Sequence, residues 1–227
     1  MTLEHEVKFA LPSFVPLRTA LVNLGAVLRG RGLESNLVLD DRERSLTREG
    51  RLLRLRTDMK NTLTFKLPPR AGEAGADATG LKVMREIETE VADLAALAEI
   101  FAALGYEPVL RYEKIRETWL IGQPGQPGQS SQLAVCLDLL PFGRFAEIEG
   151  PPALIAPLAG RLGLSMDAAL VQTYHELRRQ AALEDGGAGP DFLFNPATRA
   201  QALTKTGLAL LMEVAEIDPG QAKVDAR

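Results

Sequence analysis

Leu53-Arg54-Leu55-Arg56 and, a few residues on, Thr62-Leu63-Thr64-Phe65-Lys66-Leu67 set an apolar side chain at every second position, with a polar or charged one between. In an extended chain residues two apart share a face, so each run has one apolar and one polar side. The period rules out an amphipathic helix. The same alternation recurs on both sides of this stretch. Strands are expected over residues 3–10, 36–42, 51–57, 62–68, 82–91, 110–120, 133–140 and 144–150.

The polar faces carry mostly full charges. Glu4, Glu6 and Lys8 lie on one side of the first strand, opposite Leu3, His5, Val7 and Phe9. Arg54 and Arg56 oppose Leu53 and Leu55, and Lys66 follows Thr62 and Thr64. Glu86, Glu88 and Glu90 share a face, as do Lys114 and Arg116; Asp138 shares one with Cys136, and Glu147 and Glu149 alternate with Ala146 and Ile148. An open sheet with one wet face also alternates. It does not explain why charges of both signs, instead of Ser and Thr, recur on strand after strand. A sheet curled into a barrel with helices outside does, because the charged faces then line a polar interior. Desolvating so many charges without cargo is costly. Carboxylates in Glu-x-Glu pairs suit Mg2+ or Mn2+, and Arg and Lys suit phosphate oxygens, so the expected cargo is a metal-chelated polyphosphate.

Helices interrupt the strands. One, capped at Ser13, carries Leu17, Leu21 and Leu24 and ends at Gly25; a second starts at Asp93, turns Leu94, Leu97, Phe101 and Leu104 inward and ends at Gly105. A third covers 153–162. A fourth begins near Ser165 and carries Val171, Tyr174 and either Leu177 or Arg178. The Gly- and Pro-rich stretches 68–80 and 122–132 read as mobile loops. The main domain is expected over 1–182. Residues 183–227 then form a linker, an accessory helix started by Asn195-Pro196 and running to Ile217, and a tail. That helix is apolar enough to dock on the barrel or on a second copy in a homodimer.

A chain of 227 residues that is 46% hydrophobic can bury a substantial core. Its formal charge of −4 argues against nucleic acid and anionic membranes as partners. Cys136 is the only cysteine, which excludes an intramolecular disulfide, and no stretch reaches the roughly 20 apolar residues of a membrane span. A soluble protein of the reducing cytoplasm is expected. His5 and His175, far apart in sequence, read as packing or surface residues and lend no support to a nucleophilic triad. Tyr112 and Trp119 read as barrel packing, with stacking on a base as the sharper alternative.

Taken in order, Glu4-His5-Glu6-Val7-Lys8, Leu53-Arg54-Leu55-Arg56, Thr64-Phe65-Lys66, Arg85-Glu86-Ile87-Glu88-Thr89-Glu90, Lys114-Ile115-Arg116, Leu137-Asp138 and Phe145-Ala146-Glu147-Ile148-Glu149-Gly150 resemble the CYTH superfamily, the triphosphate tunnel metalloenzymes. That superfamily includes class IV adenylyl cyclases and thiamine triphosphatases. The resemblance covers about residues 1–180. It implies an eight-stranded antiparallel barrel of the α+β class, holding a triphosphate along its axis with one or two divalent ions. Carried over by position, Glu4, Glu6, Glu147 and Glu149 look like the principal metal ligands, with Asp138 and Glu88 or Glu90 assisting. Lys8, Arg54, Arg56, Lys66, Lys114 and Arg116 look like the phosphate contacts and catalytic cations. The substrates implied are ATP, tripolyphosphate or thiamine triphosphate. The segments 37–41 and 135–150 look closer to the class IV cyclases. Inorganic or organic triphosphate hydrolysis is the alternative, and a non-catalytic polyphosphate- or nucleotide-binding module a third reading.

Overall fold

The computed structural model describes residues 2–73, 80–122, 133–185, 189–204, 207–208 and 211–212. Eight strands form: β1 (Thr2–Leu11), β2 (Val27–Asp40), β3 (Leu52–Thr57), β4 (Asn61–Leu67), β5 (Lys82–Glu90), β6 (Glu107–Ile121), β7 (Leu133–Leu140) and β8 (Gly143–Glu149). Their hydrogen bonding runs β1-β5-β4-β3-β2-β6-β7-β8 and closes on itself, an antiparallel barrel without free edges. Among the described residues six helices with full bounds accompany them: α1 (Val15–Asn23), α2 (Ser45–Arg48), α3 (Leu94–Ala103), α4 (Pro152–Arg161), α5 (Tyr174–Asp185) and α6 (Pro196–Ala202).

The chain divides into two compact units, one of residues 1–4, 34–113 and 172–193, the other of 5–33, 114–171 and 194–227. In the first, register sets Leu37, Leu55 and Leu63 side by side on one face of β2, β3 and β4, with Leu39, Leu53 and Phe65 beside them. Leu94, Leu97, Ala98 and Phe101 of α3 pack on that cluster. Asp93 caps α3 by accepting from the Ala96 amide, and Gly105, at a φ of 90°, ends it. Because a barrel has only two faces and α3 covers the apolar one, the even-numbered residues of β2, β3 and β4 face the interior. Segment 172–193 belongs to this unit and brings Phe192 onto Tyr112, with ring centroids 5.0 Å apart.

In the second unit Val7, Ile148, Val135 and Trp119 occupy successive register positions across β1, β8, β7 and β6, all buried. α4 packs on β8 and buries Ile155, Leu158 and Ala159. α1 buries Leu17 and Leu21, ends at Gly25 with a φ of 72°, and sends Arg18 to Glu117 on the same covered face. The opposite faces of these strands carry Glu6, Lys8, Lys114, Arg116, Asp138, Glu147 and Glu149.

Several sequence expectations change. β2 starts at Val27, well ahead of Asn36, because Arg29-Gly30-Arg31-Gly32 has little intrinsic strand preference and takes that form through the barrel. Ser13 accepts from Val15 N, while Phe14 holds the cap position of α1 with no side-chain bond. The expected helix from Ser165 is a single 3-10 turn at Met166–Ala168, after which Leu170 bridges to Lys8 and the helix proper waits until Tyr174. Val171, outside it, is exposed. Asn195 caps α6 as expected, by accepting from Thr198 N, but α6 ends at Ala202; much of the stretch to Ile217, like the tail and residues 74–79 and 123–132 of the two Gly/Pro loops, lies outside the described residues. No helix among the described residues is long and apolar enough to cross a membrane.

Candidate active site

In the second unit Lys8, Lys114, Arg116, Asp138 and Glu147 form one connected network. Asp138 is fully buried and accepts from Arg116 through two bonds, Nε to Oδ1 at 2.7 Å and Nη2 to Oδ2 at 2.6 Å. Lys114 Nζ lies 3.1 Å from Asp138 Oδ2. Arg116 also pairs with Glu147, whose other oxygen lies 3.1 Å from Lys8 Nζ. Lys8 and Lys114 are each 3% exposed. Ammonium groups buried that deeply demand counter-charges, and the cross-strand registers Lys8↔Glu147 and Arg116↔Asp138 supply them. Glu6 stands directly opposite Glu149, a like-charge pair that repels unless something cationic lies near.

The first unit holds a second network. Lys66 pairs with Glu4 and stands 3.6 Å from Glu86. Burial would raise the Glu4 carboxyl, but the charge and hydrogen bond of Lys66 hold it below its ordinary value. Glu86 moves the other way. Burial pushes its carboxyl up, Lys66 opposes the shift, and the neighbouring Glu4 charge adds to it. Arg56 reaches Glu88 at 3.3 Å and Asp58 at 3.4 Å, and Glu88 accepts from Thr64.

Arg54 differs from every other buried cation described. It is 8% exposed, and its hydrogen-bond partners are two hydroxyls, of Tyr112 and Thr64, each at 3.3 Å; its Nε has none. Burial works against its charge. Tyr112, Glu34 and Glu86 outweigh that and hold the guanidinium protonated, its pKa above the ordinary value.

Of the residues expected from sequence, Lys8, Lys114, Arg116, Asp138 and Glu147 stand in one network, while Glu4, Lys66 and Glu86, with Arg54, Arg56 and Glu88, lie on one face of the first unit. Glu90 sits at the exposed end of β5, paired with Lys60. Trp119 faces away from these charges and donates to Glu117 Oε1 at 2.7 Å. Tyr112 is on the charged side, where Phe192 occupies one of its ring faces. Sequence reading missed Asn36 and Thr62, which flank Arg56 in register as Asn36↔Arg56↔Thr62. Both are buried, and among the described residues Asn36 Oδ1 and Nδ2 and Thr62 Oγ1 have no hydrogen-bond partner. Their parity with Arg54 and Arg56 was the available signal.

Carboxylates of this kind suit a hard divalent ion. Among the described residues no group of three or more His, Cys, Asp or Glu stands assembled around one point. The donors nonetheless fit in chemistry: Glu6 and Glu149 are opposed, Glu147 follows one step along the same face, and all offer oxygen. Cys136 gives no soft alternative, because burial pushes its thiol up to about 12.

No curated protein matches the chain significantly. Among solved structures, a candidate adenylate cyclase from Vibrio parahaemolyticus is 21% identical, over 78% of this chain and 98% of its own, with a TM-score of 0.65. A protein from Pyrococcus horikoshii is 23% identical over 77% and 98%, with a TM-score of 0.56. A candidate adenylyl cyclase from Hippeastrum, for which a dominant triphosphatase activity is described, is 17% identical over 82% and 98%, with a TM-score of 0.52. At such identities these likenesses concern the fold. The CYTH domain model matches residues 2–153, all eight strands of the barrel and both charge networks. Members of that family are typically triphosphate-processing enzymes and generally depend on divalent metal. Barrel closure, strand order and the family model agree, and the chain belongs to the CYTH family.

Proposed function

We propose that the protein is a divalent-metal-dependent enzyme acting on a triphosphate, of the class IV adenylyl cyclase kind, converting ATP to cyclic AMP and pyrophosphate. The observation that carries a triphosphate reading is Arg54. A guanidinium withdrawn from water with two hydroxyls as its hydrogen-bond partners gains most from an anionic ligand that supplies bidentate oxygens. Arg56 and Lys66 in the first unit, and Lys8, Lys114 and Arg116 in the second, are the other proposed phosphate contacts. Preference for cyclisation rests on the resemblance of 37–41 and 135–150 to the cyclase branch. The dominant triphosphatase activity described for the Hippeastrum protein keeps hydrolysis as the second reading.

Phosphoryl and nucleotidyl transfer need alignment and charge neutralisation more than covalent help. Pairing with Asp138 and Glu147 holds Arg116 and Lys114 in fixed positions before substrate arrives, so little reorganisation remains at the moment of reaction. Burial of Arg54 excludes water, which strengthens its pull on charge developing at a phosphate oxygen. In cyclisation the ribose 3′-hydroxyl attacks the α-phosphorus and pyrophosphate leaves; in hydrolysis water attacks a terminal phosphorus. Glu4, Glu6, Glu147 and Glu149, with Asp138 and Glu88 or Glu90 assisting, are the residues proposed to hold Mg2+ or Mn2+. Such an ion supplies Lewis-acid polarisation of phosphate oxygens and a lower pKa for the attacking hydroxyl.

Incubation with ATP, tripolyphosphate or thiamine triphosphate and Mg2+ or Mn2+ separates the readings. Cyclic AMP with pyrophosphate is the expected product set. Orthophosphate instead makes the protein a triphosphatase, and binding without turnover makes it a non-catalytic module. A buried lone thiol also fits a reducing cytoplasm as its place of work.

A further inference from the structure

Asn36 is 4% exposed and lies on β2 opposite Arg56, yet among the described residues neither end of its amide has a hydrogen-bond partner. Thr62, fully buried on the far side of Arg56, has an equally unpartnered hydroxyl. Leaving such groups dry costs about 1–3 kcal/mol each, so they read as contacts waiting for a ligand. The kind of ligand follows from the inventory of donors and acceptors. The Thr62 hydroxyl and Asn36 Nδ2 are satisfied by phosphate oxygens. Asn36 Oδ1 is not: it needs a donor, and ionised phosphate oxygens only accept. The nearest cation in register, Arg56, is turned to Asp58 and Glu88.

We propose that Asn36 is a specificity-determining residue that reads the organic head group of the substrate, pairing its amide with an exocyclic amino group beside a ring nitrogen. That donor–acceptor edge occurs on adenine and on the aminopyrimidine of thiamine, and inorganic tripolyphosphate lacks it. An asparagine amide matches it through two parallel hydrogen bonds. Thr62 takes an acceptor of the same ligand. This inference rests on the triphosphate reading above and narrows it to organic triphosphates.

The test compares dissociation constants of the intact chain for ATP, thiamine triphosphate and tripolyphosphate, with Mg2+ present, between wild type and Asn36→Leu. The variant is expected to lose at least about tenfold more affinity for ATP or thiamine triphosphate than for tripolyphosphate. Whichever organic ligand shows the loss identifies the head group. Its ligand-free stability should hold or rise, because an unpaired amide gives way to an apolar group of similar shape. Equal losses for all three ligands overturn the proposal. So does an unchanged preference, whether stability falls, as expected for an amide hydrated by a buried water, or stays level. Should Asn36→Leu fail to fold, Asn36→Ala is read by the same criteria. Wild type binding none of the ligands would sink the triphosphate reading itself, whereas wild type binding tripolyphosphate but neither organic ligand sinks only this inference.

Discussion

Arg54→Met tests the idea that this cation is kept for a ligand and not for the fold. The side chain is 8% exposed, and its bonds to Tyr112 and Thr64 are long at 3.3 Å, with neutral partners. Losing two such bonds and the attraction of Glu34 and Glu86 outweighs the desolvation that is relieved, but with no carboxylate bonded to the guanidinium the net cost stays small. Stability without ligand should therefore stay within about 1–2 kcal/mol of wild type. Binding should respond differently. Two charge-assisted bonds to phosphate are worth about 3 kcal/mol or more, a loss of about a hundredfold in affinity. With tripolyphosphate at about 100 times the wild-type Kd, the ligand stabilises wild type by about 2.7 kcal/mol and such a variant by about 0.4 kcal/mol. For a chain of this size the rise in Tm then shrinks from about 5–10 °C to about 1 °C. Thermal melts with and without ligand read both quantities. The reasoning fails if the ligand-free variant loses more than about 3 kcal/mol, the signature of a broken buried ion pair, while keeping its ligand shift.

Glu149→Ala should abolish metal-stimulated turnover and weaken Mn2+ binding in titration without unfolding the chain, since it removes one of two facing carboxylates; full activity in EDTA-treated buffer would refute the assignment. Glu86 should make stability fall as pH rises. Its folded-state pKa is raised above 4.5, so the stability it contributes is complete below that value and is lost as pH climbs through the raised one. Urea titrations of Glu86→Gln should show that slope flattened, and an identical slope in both proteins would contradict it. Glu4, shifted downward, contributes a slope of opposite sign below 4.5, and because its charge adds to the Glu86 shift the two carboxyls titrate as a pair. Glu117→Gln leaves Arg18 and Arg31 without their buried counter-charge and should cost about 3–5 kcal/mol in denaturant midpoints, with activity per folded molecule intact. A loss under about 1 kcal/mol would mean the cluster is not a buried pair in energetic terms.

Strand parity was legible because it is local. Lys8, Arg54, Lys66, Asp138 and Glu147 each share a face with their neighbours two residues away, whatever the rest of the chain does. Trp119 and Glu117 could not be connected from sequence, because parity puts them on one face without showing what approaches it. Only the approach of Arg18 from α1 and Arg31 from β2 makes Glu117 a buried anchor. The helix expected from Ser165 failed for a related reason, as Leu170 satisfies its backbone by bridging to Lys8 and so leaves the helical path.

The sequence by itself determined that eight strands form, the charge on each face and the helix ends at Asp93, Gly105 and Gly25, because alternation, capping and positive φ are properties of a few consecutive residues; the first part of β2 was left to the barrel. Only the tertiary structure decided which charge meets which: Lys8 with Glu147, Arg116 with Asp138, Lys66 with Glu4 and Glu86, and Arg54 with no carboxylate bonded to it. Partners across a barrel are set by register between strands distant in sequence. A shift of one residue would turn every one of those side chains to the other face.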